Sequence, residues 1–274
     1  MKNNASKKYK KTVFGIIIVA IILIPIYFVF IYSFQSNQEI YHQPPYLFPP
    51  NPQFSAYKIA WESLKPHFLN SVIISTGVVI FTLVISIPSA FSLSKLNIKF
   101  KNAISYLMVF VQILPASVIV VPLFLLFFNL NLINTYIGTI LAVSTLTIPF
   151  DIVILRSYME TFPFSLIEAA QIDGASLLKI FFKIIIPLSR PAIITATIFA
   201  FIFSWGDFIF SLTLLQQNML QPLGVGLYYF TSEFGVQWNN LMAASVIYSL
   251  PVLIIVMIAG NYLVSGLTAG AFKE

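Results

Sequence analysis

Long unbroken runs of apolar residues follow one another along the chain, separated by shorter polar stretches. A run of about twenty apolar residues has the length of a helix that crosses the hydrocarbon core of a bilayer. Such runs occupy residues 13–33, 68–93, 103–128, 133–155, 193–215 and 241–264. The pattern predicts an all-α fold, a polytopic membrane helix bundle of six transmembrane helices forming a single transmembrane domain over residues 1–274. Pro25, Pro88, Pro115, Pro122, Pro149 and Pro251 fall inside the runs. They would be disruptive in water, but neighbouring helices of a bundle satisfy the carbonyls they release, so kinked spans are expected.

Residues 157–191, between the fourth and fifth runs, break this pattern with a helical period of their own. Pro163 suits a first helical turn, where its missing N–H costs nothing. Leu166, Ala169, Ala170 and Asp173 recur at i, i+3, i+4 and i+7, which predicts a nearly flat face carrying both alanines, with Glu168 projecting from its flank. Gly174 is placed to end the helix in the left-handed cap conformation, and Ser176 to cap a second helix. Leu177, Ile180, Phe181 and Ile184 then form a second apolar stripe opposite Lys179 and Lys183, stopped by Pro187. The segment reads as a helix–turn–helix at the membrane surface with a face for a protein partner.

Composition sharpens the class. With 58% hydrophobic residues, 27 Phe and only 9% charged positions, the chain lacks the polar residues for a water-facing surface. The net charge of +6 is spread between apolar runs rather than gathered on a basic patch, which argues against a nucleic-acid partner and for membrane orientation signals. Lys2, Lys7, Lys8, Lys10, Lys11, Lys95, Lys99, Lys101, Arg156, Lys179, Lys183, Arg190 and Lys273 fall on one side of the predicted spans, against Lys58 and Lys65 on the other. The richer side is predicted to be cytoplasmic, with both termini inside, in a cell membrane. The first run is too long for a signal-peptide core and lacks a small-x-small cleavage site, so it reads as an uncleaved span. The proline-rich QPPYLFPPNPQF of the first outer segment predicts extended chain packed along the bundle or on a partner.

Candidate chemistry is sparse. With no Cys, thiol catalysis and thiolate metal sites are excluded, and His42 and His67 lack metal-ligand spacing, so neither a metal nor a cofactor is expected. Asp207 lies inside the fifth run, where a carboxylate is costly unless it faces the bundle or a water-filled cavity. With Trp205 it is a candidate for lining a pathway, the alternative being a buried helix–helix hydrogen bond. Asp151, near the end of the fourth run, is read as a structural charge within reach of Arg156 or Lys183. Asn70, Gln112, Asn129 and Asn131 are weaker candidates.

The loop residues also carry a resemblance. Glu168-Ala169-Ala170, three residues, Gly174, nine residues, then Ile184 and Pro187 match the cytoplasmic signature of importer permeases of the ATP-binding-cassette class, with Ile186 where Leu is usual. FLNSVIIST, ILPASVIVVPLFLLF, NTYIGTILA, LRSYMETFP and LTAGAFKE resemble six-span carbohydrate permeases of the maltose type, so that the likeness covers nearly everything after Phe14. The resemblance implies a permease that forms a sugar pathway with a second, usually different, permease. It also implies two copies of an ATP-binding subunit beneath the pair and an extracytoplasmic sugar-binding protein. Glu168, Ala169, Ala170, Asp173, Gly174 and Pro187 would then form the coupling helix and its turn, seated in the ATPase. Family members often carry Trp-Asn where this chain has Trp205-Gly206, which removes a side chain from the implied pathway. The chain has no G-x-x-x-x-G-K-[ST] and would do no covalent chemistry, its energy coming from ATP hydrolysis on the partner. A secondary carrier or a membrane scaffold without transport is the rival reading. Carriers usually show inverted repeats and intramembrane acidic pairs, and no repeat is evident here.

Overall fold

The computed structural model describes residues 2–232 and 235–268. Lys273 and the last six residues of the LTAGAFKE motif lie outside the described residues. The helices, in chain order, are α1 (Lys2–Tyr32), α2 (Asn37–Ile40), α3 (Ser55–Lys95), α4 (Lys101–Ile113), α5 (Ala116–Asn129), α6 (Tyr136–Glu160), α7 (Ser165–Ile172), α8 (Leu177–Leu188), α9 (Arg190–Trp205), α10 (Ile209–Leu214), α11 (Leu223–Tyr228) and α12 (Trp238–Thr268). A two-residue antiparallel pairing of Thr231 with Val236 and Ser232 with Gly235 interrupts the otherwise helical fold. The chain forms two compact units, residues 1–65 with 227–250, and residues 66–226 with 251–274.

In the first unit, the apolar side chains of α1 from Val13 to Ile26 are exposed nearly all round, the pattern of a helix whose solvent is lipid. The proline-rich segment folds back on the end of α1. Phe34 lies 5.4 Å from Phe54 and 5.1 Å from Tyr57 between ring centroids, and the Tyr27 hydroxyl donates to the Leu47 carbonyl. Ser36 and Glu39 close a capping box on α2, and the Asn239 amide donates to Asn37 Oδ1 at 3.3 Å. The segment therefore packs on the end of α1 and the start of α3 within its own unit.

The second unit is built on α6, which packs against α4 and α9. One core cluster joins Ile74 and Val78 of α3 to Val120 and Phe127 of α5, Ala142, Val143 and Leu146 of α6, and Phe210 and Leu214 of α10. A second joins Ala90 and Phe91 of α3, Leu155 and Met159 of α6, Ile167 and Ala170 of α7, Ile180 and Ile185 of α8, and Ala192 and Ala196 of α9. Small residues at these contacts let helices approach closely, as in lipid, where apolar burial between helices gives no driving force of its own. At the start of α6, Gly138 lets the preceding loop press against the helix, because a Cβ there would lie 2.2 Å from the Leu132 carbonyl oxygen.

Two predicted spans are not continuous helices. Residues 103–128 divide at Leu114-Pro115 into α4 and α5, bent by 100°. Pro115 has no N–H to donate, and a residue before proline is driven from the α region, so Leu114 takes φ −72°, ψ 126°. Residues 193–215 divide at Gly206 to Phe208 into α9 and the short α10. The 41 residues of α3, about 60 Å of helix, outrun the predicted 68–93 span and the roughly 30 Å hydrocarbon core.

Candidate functional site

The segment from Glu160 to Arg190 is held at its start. Lys95 Nζ donates to the Phe162 carbonyl at 2.6 Å, and Arg156 Nε pairs with Glu160 Oε1 at 2.9 Å. The Arg156 guanidinium also reaches Ser105 and the Lys101 carbonyl, fastening the start of α4 to the end of α6. α7 then begins at Ser165, with Pro163 two residues before the helix rather than in its first turn; its carbonyl accepts from the Leu166 amide at 3.2 Å.

α7 ends in a Schellman motif. The Gly174 amide donates to the Gln171 carbonyl at 3.0 Å and the Ala175 amide to the Ala170 carbonyl at 2.9 Å, with Gly174 at φ +76°. A Cβ on Gly174 would meet nothing within 4 Å, so backbone conformation alone selects glycine there. Ser176 caps α8 by accepting from the Lys179 amide at 3.3 Å.

The two alanines do not share the flat face that their spacing predicts. Ala170 is buried with Ile167 against the protein's own core, while Ala169 is exposed beside Glu168, Asp173 and Ile172. On a helix of 3.6 residues per turn adjacent positions diverge by about 100°, and the core takes Ala170. The stripe of α8 is also shifted. Leu177 is exposed, and the fully buried positions are Ile180 and Ile185, five apart across a π turn over Phe181–Ile185. Pro187 sits within α8 just after that turn, and the stop falls at Ser189, where the chain bends by 75° into α9. A widened turn accommodates the proline ring, which would clash with the carbonyl four residues before it in a regular helix.

Within the spans the two acidic residues differ in their partners. Asp207 stands in the break after α9, and its carboxylate caps α10. Oδ1 accepts from the Phe210 amide at 3.3 Å, and Oδ2 accepts from the Ser211 amide at 2.9 Å and the Ser211 hydroxyl at 2.7 Å. Trp205 is 2% exposed, stacked on Phe201 and edge-on to Phe68. Within this chain Trp205 serves packing and Asp207 serves capping. Asp151 is fully buried, and neither carboxyl oxygen has a hydrogen-bond partner. The expected pairing with Arg156 or Lys183 is absent, because Arg156 is committed to Glu160 and Lys183 is exposed.

Asn70 is a hub that sequence reasoning undervalued. Its Nδ2 donates to the Met219 and Gln221 carbonyls at 2.8 and 2.9 Å, and its Oδ1 accepts from the Tyr136 hydroxyl at 2.8 Å. His67 Nδ1 lies 2.8 Å from the same Gln221 carbonyl. A polar trio at the start of an apolar run (His67, Asn70, Ser71) was the available signal, since buried amides in lipid require partners.

Residues 82–269 match the family model of the binding-protein-dependent transport system inner membrane component. The chain belongs to this family. It is a permease subunit of an ATP-binding-cassette importer, a multi-pass membrane protein that is not itself catalytic. The permease is 32% identical to the sulfoquinovosyl glycerol transport system permease SmoH of Agrobacterium fabrum, over 92% of this chain and 89% of that one. It is 35% identical to the trehalose/maltose transport system permease MalG of Thermococcus litoralis, over 74% of each chain. Among solved structures, a bacterial importer of the acidic polysaccharide alginate matches with a TM-score of 0.81 at 24% identity, over 96% of the permease and 98% of that chain. At that identity the likeness speaks for the fold.

Proposed function

We propose that this permease imports a sugar released to it by an extracytoplasmic binding protein, and that α7 with the Gly174 turn transmits the movements of a partner ATPase to the bundle. The two-sided character of α7 carries the proposal. Ile167 and Ala170 lock one side into the core that joins α3, α6, α8 and α9, while Glu168, Ala169, Ile172 and Asp173 leave the other side open. Ile172, 85% exposed, is costly in water and supports a partner surface. A displacement of the open side would be passed to all four helices through the locked side, since a packed core transmits strain. Two ATPase copies, a second and different permease, and cytoplasmic termini belong to the same proposal, supported by the lysine and arginine asymmetry and the family assignment. The sugar class is supported by relatives whose names specify glycosides and oligosaccharides.

The chain contains no Cys, which makes the docking test direct. Ala169→Cys is expected to cross-link to an ATPase subunit carrying a cysteine in its groove, and Ala170→Cys is not. Equal cross-linking from both positions, or none from Ala169→Cys in a complex that hydrolyses ATP, would sink the docking proposal. Screening sugars against the binding protein encoded alongside tests the substrate class.

A further inference from the structure

The last turns of α3 and the length of α8 leave an apolar groove between them, a cavity of about 580 Å³ within the second unit. Val84, Phe91 and Ser92 line it from α3, and Leu178, Phe182 and Ile186 from α8; Ser92 is the single polar side chain in its lining. Val84, Leu178 and Phe182 are 66, 70 and 61% exposed. The groove lies at a membrane surface. Lys95 Nζ reaches the Phe162 carbonyl just past α6, which puts the charged ends of α3 and α6 at one level. Phe181 of α8 packs on Phe91, one turn before Lys95, at 5.3 Å between ring centroids.

A cationic strip borders the apolar one. Lys179 and Lys183 follow Leu178 and Phe182 by one position each, so they stand about 100° around α8 from them. Both lysines are exposed, as are Arg190 at the start of α9 and Lys99, three residues past the groove residue Leu96. No acidic residue occurs between Leu177 and Arg190. Glu168 and Asp173 lie before the Gly174 turn, and Glu160 is paired with Arg156. A helix that exposes Leu and Phe beside lysines at a membrane surface lies in the lipid interface, and basic pockets beside spans take lipid phosphates.

We propose that the groove between α3 and α8 holds an acyl chain of an anionic phospholipid whose phosphate sits on Lys179 and Lys183. The lysine stems lie along the apolar strip while their ammonium groups reach the headgroup. A soluble phosphate would leave Leu178 and Phe182 in water, and a zwitterionic lipid would bring a second cation to a strip that holds only cations. The site takes a component of the bilayer, so it stands whether or not the transported solute is a sugar.

The test uses the whole complex in proteoliposomes doped with phosphatidylglycerol or phosphatidylcholine carrying a diazirine in one acyl chain, with photolabelled residues mapped by peptide mass spectrometry. The reference is the exposed face of α12 at Leu253, Ile254 and Met257, since residues 191–272 contain no Lys or Arg. Relative to that face, phosphatidylglycerol is expected to label the groove residues about tenfold more than phosphatidylcholine. Lys179→Gln with Lys183→Gln should remove the preference, and Lys179→Arg with Lys183→Arg should keep it. Equal labelling by the two lipids, or a preference that survives the glutamine pair, overturns the headgroup site. A groove that neither lipid labels is covered by another protein chain, which overturns the proposal. A preference abolished by glycerol phosphate at the concentration of the lipid would assign the lysines to a soluble phosphate instead.

Discussion

Asp151 and Asp207 are the two acidic residues inside the predicted spans, and they differ in everything but chemistry. Asp207 stands where a helix has stopped, so free amides of the next helix are within reach, and its carboxylate takes three hydrogen bonds from them and from Ser211. Asp151 stands in the middle of α6, where every nearby amide is already committed to the helix ladder, and its oxygens find none. A carboxylate at a break is bound into the structure that made the break. One inside an unbroken helix depends on what lies across from it, and no hydrogen-bonding group of the chain meets Asp151.

The largest loss separating the two is expected for Asp207→Ala. It strips two amides and a hydroxyl of their acceptor and should cost about 2–3 kcal/mol, read as a lower unfolding temperature of the purified complex. Unchanged stability would refute the cap. Gly174→Val extends the comparison to the break after α7. The left-handed penalty of about 1–2 kcal/mol acts there without any steric clash, so Gly174→Asn, which tolerates that conformation, should recover part of the loss of sugar-stimulated ATP hydrolysis. Ser176→Ala should cost about 1 kcal/mol, visible as faster hydrogen exchange at the Lys179 amide with little change elsewhere. Asp151→Leu should cost nothing, leaving the unfolding temperature unchanged or raised, because the protein supplies no partner to lose. A marked destabilisation would show that Asp151 has a structural partner after all.

Much of the segment from Glu160 to Arg190 was legible in the sequence because its signals are local. Gly174 and Ser176 act on backbone groups within a few residues of themselves, and both take the conformations that their positions predict. The faces of α7 were less legible. Ala169 and Ala170 are identical in type, and only the surrounding helices decide that Ala170 turns inward. The same holds for the stripe of α8, where the period of 3.6 used for prediction gives way to a π turn ahead of Pro187. Hydropathy located the apolar runs but not the breaks at Leu114 and Gly206, since a bent pair of helices and a straight one have the same composition. The Leu114-Pro115 pair was the one local warning, and Pro149 and Pro251 show its limit, because α6 and α12 run on through them.

By itself the sequence determined the class of this protein, since a chain with so many apolar and so few charged residues has no other solvent than lipid. It also determined the turn at Gly174, because left-handed backbone and short-range hydrogen bonds are properties of neighbouring residues. The tertiary structure alone decided which acid is satisfied and which is not, which alanine faces outward, and where α3 and α8 leave a groove open. Those outcomes depend on groups far apart in the chain meeting, or failing to meet, across helices, and no local pattern records that.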